Sequence, residues 1–220
     1  MKVYTEEKIM SILVEISEKL QAGKAKEIKE LVPKALEEGV PAKDILEQGL
    51  LAGMSVIGEK FKNNEVYVPE VLIAARAMKI GTEILKPHLV SADSDAVGKV
   101  CIGTVKGDLH DIGKNLVKLM IEGKGLEVID LGVDVAPEQF VAAVKEQGCK
   151  VICCSALLTT TMGVMKDVVD LCVAEGIRDQ VKIIVGGAPI TEEFCKSIGA
   201  DNYSKDAATA ADVALEYCKA

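Results

Sequence analysis

The chain holds only two histidines, His88 and His110. His110 falls in the run Val105-Lys106-Gly107-Asp108-Leu109-His110-Asp111-Ile112-Gly113, two residues after Asp108. A neutral imidazole is a good donor to a transition metal near neutral pH. A carboxylate on its other nitrogen fixes the tautomer and raises the basicity of the ligand. The same residues also admit a plainer reading, in which Asp108 or Asp111 caps a helix and His110 is simply solvated. Further along, Ser155-Ala156-Leu157-Leu158-Thr159-Thr160-Thr161-Met162 gathers several hydroxyls. They could belong to a polar site, or one Thr could cap a helix. Gly186-Gly187-Ala188-Pro189 either lets backbone approach a bulky ligand closely or makes a tight turn. No Walker loop and no Gly-x-Gly-x-x-Gly dinucleotide fingerprint occurs, so phosphate-cradling chemistry has no support.

These segments need elements to hold them. From Gly98 onward, short apolar runs alternate with amphipathic stretches. Strands are predicted at Lys99–Val105, Glu127–Leu131, Val151–Ser155, Lys182–Val185 and a short Asp201–Tyr203. Helices are predicted at roughly 111–123, 137–147, 162–175, 191–198 and 206–218. Five β-α units of this kind predict an α/β domain, an open parallel sheet with helices on both faces. Ligands of such sheets sit beyond the carboxyl ends of the strands, which directs attention to residues 106–113, 155–161 and 186–189. Residues 1–90 read differently, as helices only. Ile9, Ile12, Leu13, Ile16 and Leu20 form one stripe, and Ile28, Leu31, Val32 and Leu36 a second. A third helix runs from about Pro41 to Phe61, and a fourth from near Pro69 to just before Pro87. Short loops between them predict a four-helix bundle. The small polar run 91–97 reads as a linker, so the expected division is 1–90, 91–97 and 98–220.

Composition narrows the class of partner. The net charge is −8, and the aromatic fraction is only 3% with no Trp. A surface of that sign repels phosphate backbones and anionic lipid, and base-stacking platforms are scarce, so neither nucleic acid nor a membrane is expected. The helical part carries 13 basic and 14 acidic residues, which leaves 13 and 20 for the rest, so the negative charge belongs to the α/β part. The seven cysteines, Cys101, Cys149, Cys153, Cys154, Cys172, Cys195 and Cys218, include no Cys-x-x-Cys pair and mostly lie in apolar runs. They read as buried thiols of a reducing compartment rather than as a zinc site. The start, Met1-Lys2-Val3-Tyr4-Thr5-Glu6-Glu7, has no apolar segment of a signal peptide, and the expected location is the cytoplasm.

Taken together, Asp108-x-His110-x-x-Gly113, then Ser155-x-Leu157, then Gly186-Gly187 resemble the cobalamin-binding domain shared by methionine synthases, base-off mutases and corrinoid methyl-carrier proteins. The resemblance covers residues 98–220. Lys114-Asn115 and Asp130-Leu131-Gly132-Val133-Asp134-Val135 look like its methyltransferase branch. The N-terminal bundle resembles that branch's helical cap through Gly58-Glu59-Lys60-Phe61, Tyr67-Val68-Pro69-Glu70-Val71 and Ala75-Arg76-Ala77-Met78-Lys79. The resemblance implies a four-helix cap followed by a Rossmann-like, flavodoxin-like, five-stranded domain. It implies a cobalamin or related corrinoid that alternates between methylcobalt(III) and cobalt(I), base-off, with His110 as the lower ligand of the metal. Asp108 then matches the carboxylate bonded to that histidine. Thr161, beside Thr159 and Thr160, matches the relay hydroxyl, where the better-known pattern has serine. Asp111, Gly113, Ser155, Leu157, Thr159, Gly186 and Gly187 fall at positions around the cofactor and its displaced tail, and Phe61, Val68 and Val71 at the apolar cap over the upper face.

The activity implied is that of a corrinoid subunit rather than a complete enzyme. It carries methyl between a substrate-specific methyltransferase and a second methyltransferase acting on a thiol or tetrahydropterin, with a reductive activation protein as a further partner. No folate-binding barrel fits in 220 residues and no zinc site for a thiol acceptor is visible, which excludes a full methionine synthase. A cobalamin-binding sensor or regulatory module is the first alternative. The small subunit of a carbon-skeleton mutase and a flavodoxin-like or phosphoacceptor domain are others.

Overall fold

A computed structural model describes residues 6–89 and 98–220. The chain divides into two compact units at about residue 95. The linker expected at 91–97 lies outside the described residues.

The first unit is helical. Helices α1 (Glu6–Gln21) and α2 (Ala25–Glu37) are joined at Gly23, whose φ of +67° suits glycine. Helix α3 begins as Ala42–Asp44, passes through a π-helical stretch Ile45–Leu51 and continues as Ala52–Lys62. Helix α4 spans Val68–Leu89. Ile12, Ile16, Leu20, Ile28, Val32, Ile45, Leu50, Met54, Ile57, Val71 and Leu85 form its buried stripes, as helical spacing predicted. Two details differ from the sequence reading. The π-helical stretch was read as ordinary α-helix. There the backbone widens where α3 meets α1, and a Cβ on Gly49 would already stand 3.0 Å from Ile16 Cγ2. The fourth helix also runs through Pro87 instead of stopping before it, because a proline in the last turn removes only one hydrogen bond at a fraying end.

The second unit is a five-stranded parallel sheet of order β2-β1-β3-β4-β5, with strands β1 (Lys99–Val105), β2 (Glu127–Val135), β3 (Val151–Ser155), β4 (Lys182–Gly186) and β5 (Asn202–Tyr203). Helices α5 (Ile112–Glu122), α6 (Pro137–Gln147), α7 (Gly163–Ala174), α8 (Glu192–Ile198) and α9 (Ala207–Lys219) alternate with them. Side chains alternate across the central strands. Cys101, Ile152, Cys154, Ile183 and Val185 pack with Phe140, Met165, Val168, Cys172 and Cys195 in one core. The intervening Val100, Ile102, Val151, Cys153 and Ile184 are equally buried. All seven cysteines are free and buried, and burial pushes the Cys153 thiol up to about 12. Cys101, Cys154, Cys172, Cys195 and Cys218 are raised too, whereas the hydrogen bond with Cys101 lowers Cys149.

Strand β2 is longer than the predicted Glu127–Leu131. It continues to Val135 because two turn-forming residues are absorbed as bulges: Gly132 has φ +87° and Asp134 φ +55°. The register records it, since Ile102, Gly103 and Val105 of β1 pair with Asp130, Gly132 and Val135. β2 thus spends two more residues than β1 over the same length, and its end is bent toward the β1 loop. Chain order reverses between β1 and β3, so the switch point lies at their carboxyl ends.

Candidate functional site

Strand β1 ends in a tight turn. Asp108 N donates to Val105 O at 3.1 Å, and Gly107 between them has φ +84°, the pattern of a turn that needs glycine at its third position. The turn delivers Asp108 inward, where its side chain has no exposed surface. One carboxylate oxygen, Oδ1, accepts from His110 N at 3.0 Å and lies 2.6 Å from His110 Nδ1. The other, Oδ2, accepts from Leu157 N at 2.7 Å, Leu158 N at 3.2 Å and Thr161 Oγ1 at 3.1 Å. A buried carboxylate without such partners would protonate. Burial does push this one upward, but the Leu157 and His110 N–H groups, the His110 ring and the Leu158 N–H outweigh it and hold Asp108 well below the usual carboxylate range.

An ionised carboxylate only accepts hydrogen bonds, so the proton between the two groups sits on His110 Nδ1. In the neutral imidazole Nε2 is then the nitrogen with the free lone pair. No hydrogen bond reaches it among the described residues, and the His110 side chain is 52% exposed. The backbone around the ring is pinned as well, because the buried Thr104 donates from Oγ1 to His110 O at 2.8 Å. A half-exposed neutral imidazole whose Nδ1 is held by a buried carboxylate has the chemistry of a metal ligand. Among the described residues no cluster of three or more His, Cys, Asp or Glu could hold an ion unaided. The donor set therefore suits a metal that brings its other ligands with it.

The surroundings fit a large, flat, apolar-edged group. Leu109 is 72% and Ile112 80% exposed on the His110 loop, and Leu157 and Leu158 stand exposed on the β3 loop. A Cβ on Gly113 would meet nothing within 4 Å, so this position faces open space. At the end of β4, Gly187 has φ +129°, and a Cβ on it would stand 1.8 Å from Ala156 O, a contact no other residue could make. Gly186 O accepts from Ala156 N at 3.2 Å, tying the β3 and β4 loops together.

Asp108, His110, Leu157 and Thr161 are thus joined by direct bonds, Ser155 ends the same strand as a half-buried residue, and Gly186 and Gly187 flank it. The capping alternatives do not describe these side chains. Asp111 occupies the N-cap position of α5, but its carboxylate accepts from Asn115 Nδ2 at 3.0 Å and caps nothing. α7 begins after Met162 with no side-chain cap. Thr159 is exposed and Gly113 lies in the first turn of α5. In the helical unit Val68 is exposed, Phe61 half-buried and Val71 wholly in the core. Two contributors escaped the sequence reading. Thr104 was a lone polar residue in an apolar strand, and Asp134 accepts from Gly107 N at 2.7 Å across 27 residues. The available signal was a Gly and an Asp close together in a strand that would otherwise tolerate neither.

Comparison with known proteins points the same way. Residues 98–215 match the family described as B12 binding domain, and residues 12–86 match a second family of that description. A corrinoid protein of Desulfitobacterium hafniense is 38% identical over 209 residues, covering 94% of this chain and 97% of that relative. Trimethylamine corrinoid protein 2 of Methanosarcina mazei is 41% identical over 202 residues, 91% of this chain and 89% of its own length. Among solved structures, the methanol:cobalamin methyltransferase complex MtaBC of Methanosarcina barkeri aligns with TM-score 0.85 and 28% identity over 99% of this chain and 86% of the matched chain. No helix among the described residues is long and apolar enough to cross a membrane.

Proposed function

Because this chain belongs to the family of B12-binding corrinoid proteins of methyltransferase systems, we propose that it carries a methyl group between two separate enzymes, a substrate-specific methyltransferase and a second one that passes methyl to a thiol or tetrahydropterin. The observation that carries this reading is the 2.6 Å pairing of His110 Nδ1 with Asp108 in a half-exposed side chain, which leaves Nε2 without a hydrogen bond among the described residues. A bound corrinoid would supply a cobalt able to accept and release methyl, with its own base displaced. The protein supplies the rest.

In this reading His110 Nε2 would hold the cobalt. Asp108 keeps the Nδ1 proton in place and, as a permanent anion, strengthens the donor. Thr161 has one hydroxyl proton and two acceptors in reach, Asp108 Oδ2 at 3.1 Å and Leu158 O at 3.0 Å. Rotation between them changes how strongly Asp108 holds the imidazole proton, which is what a relay residue must do. The methyl of Thr161 does not prevent this. Its Cγ2 lies 3.3 Å from where a Cβ on Gly107 would be, so the glycine gives it room. Ser155, Leu157, Thr159, Gly113, Gly186 and Gly187 would line the site for the corrinoid's nucleotide tail, with Asp111 at the rim. In the helical unit the apolar cap is assigned to the half-buried Phe61 of α3 and to Val68 and Val71 of α4, the first exposed and the second buried. The methyl donors are small substrates of the methylamine or methanol class, the functional partners include a reductive activator, and the setting is the cytoplasm.

The test is direct. Apoprotein is loaded with hydroxocobalamin and reduced to the cobalt(II) state, and electron paramagnetic resonance is recorded with isotopically labelled histidine. Nitrogen splitting that responds to the label and disappears in His110→Ala is the expected result. Splitting unchanged in that variant removes the ligand assignment. Methylated holoprotein offered to methyltransferases should lose its methyl to at least one. A protein that keeps its corrinoid yet exchanges methyl with none is a sensor instead.

A further inference from the structure

We propose that Asp134 is a positioning residue for the loop that presents His110, acting from the edge strand through the Gly107 amide. The inference rests on the reading of His110 as the lower ligand and extends it to a residue that touches neither the ring nor its carboxylate.

Four observations carry it. The turn at the end of β1 leaves the Gly107 N–H outside the Val105–Asp108 hydrogen bond, and Asp134 Oδ1 accepts that N–H at 2.7 Å. Asp134 also grips the loop with its backbone, since its own N–H donates to Asp108 O at 3.0 Å. One residue of β2 therefore holds both sides of the Gly107–Asp108 peptide, immediately before the carboxylate that fixes the imidazole. Second, Asp134 holds φ +55°, a conformation that favours Gly or Asn, although no glycine stands there. Third, its side chain is exposed, so core packing does not explain the acid. Fourth, the bulge that aims it is anchored from behind. Asp130 Oδ1 accepts from Gly132 N at 3.0 Å and from Lys114 Nζ at 2.6 Å, and Lys114 is only 3% exposed. Lys114 lies on α5, the helix that the His110 loop leads into. The loop is thus clamped between β2 and α5, and Asp134 is the contact nearest the imidazole.

The function assigned is geometric. The ring can hold a metal along a fixed direction only if the turn that delivers Asp108 keeps its geometry. Releasing the Gly107 N–H frees the Lys106–Gly107 peptide inside that turn, and Asp108 and His110 then move with it.

Two variants separate the bond from the backbone. Asp134→Gly keeps the positive φ without cost and deletes the acceptor. Asp134→Asn keeps both, because its side-chain oxygen accepts equally well and Asn tolerates this conformation. In the apoprotein, hydrogen exchange at the Gly107 amide is expected to quicken at least about tenfold in Asp134→Gly and to stay within about twofold in Asp134→Asn. In the cobalt(II) holoprotein, the fraction showing histidine nitrogen splitting should fall by half or more in Asp134→Gly and hold in Asp134→Asn. Unchanged exchange and unchanged splitting in Asp134→Gly overturn the proposal. So does equal loss in both variants, which would assign the effect to charge and not to the bond. If His110→Ala keeps the splitting, the ligand reading has failed, whereas the exchange comparison still decides whether Asp134 holds the loop.

Discussion

At the scale of single residues, the site depends on one carboxylate doing several things. Asp108 satisfies the N–H groups of His110, Leu157 and Leu158, the Thr161 hydroxyl and the imidazole, and it does so while fully buried. Asp108→Asn turns an NH₂ toward groups that are themselves donors, and it should cost about 1–3 kcal/mol in urea unfolding. The same variant has a pH signature. The folded Asp108 is held below its ordinary value, so the unfolded chain takes up its proton first as pH falls. Its contribution to stability is fully present above about pH 4 and drains away below that, toward the depressed folded value. Asp130, lowered by Lys114, the Gly132 N–H and Lys118 against the upward push of burial, adds a slope of the same sign. Acid unfolding followed by circular dichroism should therefore be shallower in Asp108→Asn than in the parent, and a slope unchanged by the substitution would contradict the assignment. Gly187→Ala is the sharpest steric test. With φ +129° and a Cβ 1.8 Å from Ala156 O, the loop must move, and a loss of at least about 2 kcal/mol is expected by thermal or urea melting. A melt within experimental error of the parent would show that the two loops do not approach as described.

At the scale of elements, the reading of the chain succeeded where the signal was local and failed where it was not. β1 and β3 came out residue for residue at Lys99–Val105 and Val151–Ser155, because both are continuous apolar runs bounded by polar turns. Spacing alone leaves Asp108 and His110 open to a capping alternative, and it is the family resemblance that implies their pairing, which the structure shows at 2.6 Å. β2 was cut short at Leu131 because Gly132 looks like a strand end, and only the partner strand reveals it as a bulge. Gly132 and Asp134 mark an irregularity in β2, but the Asp134–Gly107 contact itself has no local trace, for it joins that strand to the turn after β1. The π-helical stretch of α3 was invisible for the same reason, since it answers to α1 packing against Gly49 and Gly53, where a Cβ on Gly53 would stand 2.9 Å from Ser17 O. Gly53→Leu in that helix should melt the helical unit several degrees lower, by overpacking worth roughly 1–3 kcal/mol, which differential scanning calorimetry can read.

At the scale of the whole molecule, the net charge of −8 sits mainly on the unit with the proposed site. A ligand held by the folded site alone stabilises the protein by mass action, about 2.7 kcal/mol at a hundred times its dissociation constant, and that corresponds to a rise of roughly 10 °C in melting temperature. The melting point of the parent should climb with added hydroxocobalamin, and a curve independent of its concentration would count against the site. The rim of that site has one more consequence. Leu109 and Ile112 expose 72% and 80% of their surface beside two exposed leucines, which is a wet greasy collar on an otherwise acidic domain. Empty protein should light up anilinonaphthalene sulfonate, clump at high concentration, and go dark and disperse once loaded.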